Sequence, residues 1–388
     1  MKILMIVPEW PPHVIGGGGH VFEAIARHLA TLGHEVTVAH GDHTNRNLFA
    51  GADVRVDGNL EIMRIPLIPV PPRFAWMSST FPPTIPALRG LGKLLKRPWH
   101  VGHLHGVGFM LIDLVARGLR RRRIPYALTI HGVPNSPLHR GRFAAAALRI
   151  YLRHCARPSL LGANVVTAVS NELLRDPLLP SISGTVIPNG LAEGDFYQEP
   201  DHRAPRPLPK LVSIARLTKN KGIDIAIAAV AELTRRGILC RYDVYGPDGG
   251  DEAEFRALAA NLGLRDIVSF KGSFSPAARA GILAGADLVL IPSRVEGFGI
   301  AALEALAAGV PVLSTRAGGL ADFLDDSNSI AVAPCSESMV DGILRGLDPR
   351  LREKVIVGGR NTANRFRWRT ILPRYDQMLH DIARRDYN

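Results

Sequence analysis

Two carboxylates separated by seven residues, Glu296 and Glu304, flank a Gly297-Phe298-Gly299 turn in the segment PSRVEGFGIAALEAL at 292–306. The run just before it, Ala286 to Ile291, is short and apolar and suits a buried parallel strand. After Gly299 an Ala/Leu-rich pattern predicts a helix ended by Gly309. Strand, glycine loop and helix in that order leave the amides of Gly297, Phe298 and Gly299 at a helix N-terminus, where an anion is welcome. Glu304 is the only polar residue from Ile300 to Ala308, so a face that buries its neighbours buries the carboxylate too. No residue nearby in sequence can pair with it, and two adjacent hydroxyls of a ribose or a sugar would satisfy it. The plainer alternative is a solvated Glu on an exposed helical stripe.

Other residues suited to anion chemistry lie upstream. Arg216 and Lys221, in RLTKNKG at 216–222, follow a strand pattern and place two cations at a sheet edge, as a diphosphate requires. Gly16-Gly17-Gly18-Gly19 falls between the first strand and a helix beginning near Val21, where bare backbone can approach a phosphate or sugar closely. His131 ends the strand pattern Thr129-Ile130-His131 beside Gly132, and His100, His103 and His105 compete with it as candidates. Ile187-Pro188-Asn189-Gly190 reads as a turn after a strand.

The elements that must carry these residues alternate. Strand patterns at Lys2–Val7, Glu35–His40, Tyr126–His131 and Val165–Val169 are interleaved with helical ones, such as Val21–Leu32 closed by Gly33. That order predicts an α/β fold with a parallel sheet. Residues 198–209 are Pro-rich and charged, as a linker would be, and the alternation restarts at Lys210–Ala215, Ile223–Leu233 and Cys240–Tyr245. Two doubly wound, Rossmann-like domains facing a cleft are expected, over about 1–200 and 206–367. A C-terminal helix, 368–388, is expected to pack back on the first. In such sheets ligands bind beyond the carboxyl ends of the strands.

A chain of 388 residues with 46% hydrophobic and 6% aromatic content fits a globular protein of this size. Cys155, Cys240 and Cys335 are widely spaced, which argues against a disulfide framework or a structural zinc site. The N-terminus makes a poor signal peptide, and no apolar run reaches membrane-spanning length, so a cytoplasmic location is expected. The net charge of +12 is concentrated: residues 89–157 hold fourteen Lys or Arg against the single acid Asp113. That window includes Arg120 to Arg123, and Arg149, Arg153 and Arg157 at helical spacing, with Phe143, Leu148, Tyr151 and Leu152 as the opposite, apolar face. A basic amphipathic helix of this kind suits an anionic membrane surface, reached from the cytoplasmic side. Sparse aromatics and the absence of a nucleic-acid motif argue against nucleic acid.

Taken together, Glu296-x7-Glu304, the RLxxxKG at 216–222, the IPNG at 187–190, the Gly16-Gly17 turn and Gly33-His34-Glu35-Val36 resemble the retaining GT-B glycosyltransferases of family 4, nearly end to end. The resemblance implies transfer of a sugar from a nucleotide-sugar donor to a glycan or lipid-linked acceptor, with no cofactor and no metal. It assigns Glu304 to the ribose, Glu296 to the donor-sugar hydroxyls, and Phe298, Gly299 and Ile300 to sugar and phosphates. Arg216 and Lys221 would bind the diphosphate, His131 would face the reacting sugar, and Lys271-Gly272 would lie by the base. Tyr245-Gly246-Pro247-Asp248-Gly249 departs from the usual turn at its place, where Gly246 is the candidate ligand residue. The competing reading is a Rossmann-type NAD(P) oxidoreductase or a nucleotide-sugar epimerase. The oxidoreductase rests on the glycine run and Asp42, and lacks the GxGxxG spacing.

Overall fold

The computed structural model describes residues 1–11, 18–42, 44–69, 82–133, 142–196, 206 and 208–385. The chain divides into two compact units, Met1–Pro188 with Ile371–Asn388, and Asn189–Thr370. The division falls at Pro188, ahead of the Pro-rich stretch, most of which lies outside the described residues.

The first unit runs β1 (Lys2–Val7), α1 (Gly18–Thr31), β2 (Glu35–Asp42), β3 (Asp53–Asp57), β4 (Leu60–Pro66), α2 (Ile85–Leu95), β5 (Val101–His105) and α3 (Met110–Arg121). It continues with β6 (Tyr126–Ile130), α4 (Arg142–Tyr151), α5 (Arg157–Leu161), β7 (Val165–Ala168), α6 (Asn171–Leu174) and β8 (Thr185–Val186). Its sheet has eight strands in the order β3-β4-β2-β1-β5-β6-β7-β8, parallel except for the edge strand β3. Central strands are buried on both faces, as helix-covered parallel strands must be: Ile3 to Val7 of β1 and all of β5 and β6 are buried.

The second unit runs β9 (Lys210–Ile214), α7 (Ile223–Arg235), β10 (Arg241–Tyr245), α8 (Glu252–Asn261), β11 (Val268–Gly272), α9 (Arg279–Ala284) and β12 (Leu288–Ile291). Then follow α10 (Ile300–Ala307), β13 (Val312–Ser314), β14 (Ile330–Ala331), α11 (Ser336–Gly346) and α12 (Pro349–Asn364). Its six strands are all parallel, in the order β11-β10-β9-β12-β13-β14. Ile223, Ala226, Ile227 and Val230 of α7 pack with Leu211 and Tyr242 in its core. The last helix, α13 (Trp368–Arg385), joins the first unit from Ile371 onward, burying Tyr375, Leu379 and Ile382 there.

The basic window departs from the single helical face expected for Arg149, Arg153 and Arg157. A five-residue π-helix, Leu152–Ala156, separates α4 from α5, so the wider turn breaks the i, i+4, i+8 alignment of Arg149, Arg153 and Arg157, although all three are exposed. Leu148 and Leu152 are buried and Tyr151 partly so, whereas Phe143 is 93% exposed and lies apart from that buried set. Among the described residues no helix is long and apolar enough to cross a membrane.

Candidate active site

The carboxyl ends of β9, β10, β12 and β13 gather most of the residues singled out above. The loop after β12 carries Glu296 and is held from several sides. Arg294 donates its backbone N–H to the Asn220 carbonyl at 2.7 Å, and its guanidinium makes two bonds to Asp224 at 2.8 and 2.7 Å. Thr315 Oγ1 donates to the Ser293 carbonyl at 2.5 Å, and the Gly319 N–H to the Glu296 carbonyl at 2.9 Å. Gly318 has φ +56°, and a Cβ there would lie 2.2 Å from the Glu296 carbonyl oxygen. Only glycine permits that approach.

Within this frame Lys221 Nζ lies 2.6 Å from Glu296 Oε2, and Ser293 Oγ donates to the same oxygen at 3.3 Å. Lys221 precedes Gly222, which has φ +67° and backs onto Pro292 so closely that an added Cβ would sit 1.9 Å from its carbonyl oxygen. The β9 and β12 loops are thereby locked together, and with them the Lys221–Glu296 pair. Arg216 is exposed on the same edge.

Glu304, on α10, is 6% exposed. Its partner comes from outside the local sequence: Arg279 of α9 lies 2.9 Å from its Oε1 and also reaches Asp195 at 3.4 Å. Burial pushes the Glu304 pKa up to about 7 against the pull of Arg279, and Asp195 adds to the rise. One guanidinium shared by two acids does not fully compensate this carboxylate.

Phe298 has its backbone and its ring in different surroundings. Its ring is 4% exposed and packs against Phe323 and Phe366, with centroids 5.3 and 6.0 Å away, so its side chain serves the core and only its backbone is left for a ligand. Gly297, Phe298 and Gly299 lead directly into the first turn of α10 at Ile300. At the neighbouring edge Gly246 has φ +138°, and an added Cβ would meet the Ala215 carbonyl oxygen at 1.9 Å, so it makes a close backbone turn that requires glycine. Lys271 is exposed, 3.7 Å from Asp243, which also pairs with Lys210 at 3.0 Å.

In the first unit His131 follows β6 and remains partly exposed. The competing histidines turn out to be its partners. His131 Nε2 lies 2.9 Å from His105 Nδ1, His105 Nε2 lies 3.2 Å from His103 Nδ1, and His103 Nε2 lies 2.8 Å from Thr129 Oγ1. Phe22 packs edge-on to the His131 ring at 4.9 Å. Burial holds the His131 and His103 pKa values down at about 3 and that of His105 well below its ordinary value. Gly16 and Gly17 lie outside the described residues.

Two family descriptions match the chain: "Glycosyl transferases group 1" over residues 198–362 and "Glycosyl transferase 4-like domain" over 16–190. The chain belongs to the group 1 glycosyl transferases. A D-inositol 3-phosphate glycosyltransferase from Acidothermus cellulolyticus is 34% identical over 47% of this chain and 44% of its own length. The chain thus spans less than half of that relative. Sucrose-phosphate synthase from Thermosynechococcus elongatus superposes with a TM-score of 0.79 over 98% of both chains at 21% identity. HepE from Anabaena, solved with UDP and glucose, gives 0.71 over 98% of this chain and 99% of its own at 18% identity. These structural likenesses establish the GT-B fold.

For a glycosyl transferase the oxidoreductase reading loses its support. Asp42 is turned to its own loop, accepting from the Thr44 N–H at 2.9 Å and the Thr44 hydroxyl at 2.6 Å, which leaves it poorly placed for a ribose. Sequence reasoning missed Asp195, Arg279, Ser293, Thr315 and Gly318-Gly319. Only the last pair carried a signal, two glycines just after a strand. It also found no metal-ligand cluster, whereas folding brings His34, Asp376 and His380 together with ligand atoms within 4.8 Å. His34 Nε2 and Asp376 are hydrogen-bonded at 2.8 Å and tie α13 to the start of β2.

Proposed function

We propose that the chain transfers a hexose from a nucleoside diphosphate sugar to a hydroxyl acceptor, with retention at the anomeric carbon. The observation that carries this reading is the pair of carboxylates on the loop after β12 and on the α10 helix that follows it. Glu304 is buried with a single shared cation, and Glu296 is held by Lys221 beside the exposed Arg216. A ribose diol donating to Glu304 would supply the hydrogen bonds that Arg279 leaves unmade. Glu296 would accept from donor-sugar hydroxyls, releasing Lys221 to the diphosphate, whose charge grows as it departs. The UDP and glucose bound to HepE support a donor of this class. Retention rests on the family-4 resemblance.

The acceptor half carries a second, finer reading, a lipid-linked or membrane-bound acceptor. Phe143 and Ile150 are 93% and 62% exposed on α4 beside exposed arginines, as a helix docked on an anionic bilayer would present them. The donor reading is tested by thermal stabilisation with UDP, GDP, ADP and NAD, and by slow hydrolysis of a panel of labelled nucleotide sugars. One nucleoside diphosphate should stabilise the chain, and its sugar conjugate should be hydrolysed. Stabilisation by NAD alone, with every donor left intact, overturns the proposal.

A further inference from the structure

The histidine chain behind His131 continues past Thr129, whose hydroxyl lies 2.8 Å from Thr167 Oγ1. Register explains the alignment. His105, Thr129 and Thr167 are lateral partners on β5, β6 and β7, and His103 shares the face of His105 two residues earlier. His103, His105 and Thr129 are 0% exposed and Thr167 is 1% exposed.

Proton counting gives this chain a direction. Three neutral imidazoles and two hydroxyls bring five protons, and the four contacts between them use four. The fifth must sit at one end. At the Thr167 end it would be a buried hydroxyl donor with no further acceptor among the described residues. Such an orphan costs about 1–3 kcal/mol. At the other end it would sit on Nδ1 of a partly exposed ring. The second arrangement satisfies every buried donor: Thr167 to Thr129, Thr129 to His103 Nε2, His103 Nδ1 to His105 Nε2, and His105 Nδ1 to His131 Nε2.

We infer that Thr167, Thr129, His103 and His105 form a one-way hydrogen-bond relay that fixes His131 as the Nδ1–H tautomer, a neutral donor facing an acceptor oxygen of the bound substrate. An isolated imidazole favours its proton on Nε2, so the relay inverts the default. His103, His105 and Thr129 are positioning residues, acting through His131. That this donor meets a sugar or phosphate oxygen rests on the transferase reading; the tautomer itself does not.

The test is long-range 15N–1H correlation on 15N-histidine-labelled, ligand-free protein, with the His131 signal assigned by its loss in His131→Asn. The expected spectrum shows the proton on Nδ1 and a bare Nε2. A proton on Nε2 overturns the relay whether or not the chain proves to be a transferase. His105→Gln offers His131 either a donor or an acceptor. It should therefore return His131 toward the Nε2–H form and lower kcat by roughly tenfold with little change in donor KM, the worth of one neutral hydrogen bond. An unchanged His131 tautomer in folded His105→Gln also overturns the relay. Should that variant not fold, the wild-type spectrum decides alone.

Discussion

Glu304 is held charged by one arginine and pushed toward neutrality by burial, and this balance makes it the most informative single residue. Its folded pKa of about 7 stands above the ordinary 4.5, so between those values the folded chain binds the proton more tightly than the unfolded one. Its contribution is therefore lost as pH rises through that window. Relative to Glu304→Gln, the wild type should lose up to about 3 kcal/mol of stability between pH 5 and pH 8, read from urea midpoints. A parallel pH dependence in both proteins would show that the carboxylate is not strained. Glu304→Ala should weaken binding of the stabilising nucleotide by about 1–3 kcal/mol in calorimetry, because the ribose hydroxyls lose their acceptor. In the loop after β9, Arg216→Ala and Lys221→Ala should lower kcat more than they raise donor KM, since their charge matters most as the diphosphate leaves. Raised KM at unchanged kcat in steady-state assays would mean uniform binding instead.

At the scale of elements, the site depends on strand ends pressed together more tightly than any side chain allows. Gly222 against Pro292, Gly246 against Ala215 and Gly318 against Glu296 each occupy positive φ with no room for a Cβ. Gly246→Ala and Gly318→Ala should each cost several kcal/mol, visible as a drop in melting temperature, because they add backbone strain to a clash with a carbonyl. Gly237, also at positive φ (+74°) but with open space around its Cβ position, is the control: alanine there should cost only the conformational penalty, about 1 kcal/mol. Equal losses at all three sites would remove close packing as the reason for these glycines. The glycines were legible in sequence as turns, but their backbone partners were not, since those come from neighbouring strands.

Across the whole molecule, charge is distributed unevenly enough to act at a distance. The fourteen cations of residues 89–157 include Arg120 to Arg123, all exposed at and just beyond the C-terminus of α3, where they also favour the helix dipole. Near an anionic bilayer each is worth about 1 kcal/mol, falling with salt. In vesicle sedimentation the chain should pellet with anionic but not neutral lipid, and less so at high salt. Changing Arg149, Arg153 and Arg157 to Glu, together with Phe143→Ser, should abolish that binding. Recovery in the supernatant with both lipids would favour a soluble acceptor and leave the donor chemistry untouched.

The sequence by itself determined the alternation of strands and helices, the glycine loop between β12 and α10, and the cations after β9. All of these depend on period and turn chemistry within a few residues. It did not reveal β5, because the histidines in Val101–His105 interrupt the apolar run by which buried parallel strands are recognised. Nor could it show that Glu304 meets Arg279, that Phe298 turns inward, or that His103, His105, Thr129 and Thr167 line up behind His131. Those contacts are decided by sheet order and register, which bring β5, β6 and β7 side by side and lay α9 against α10. Local pattern tells a residue which face it occupies; only the neighbouring element tells it what it touches.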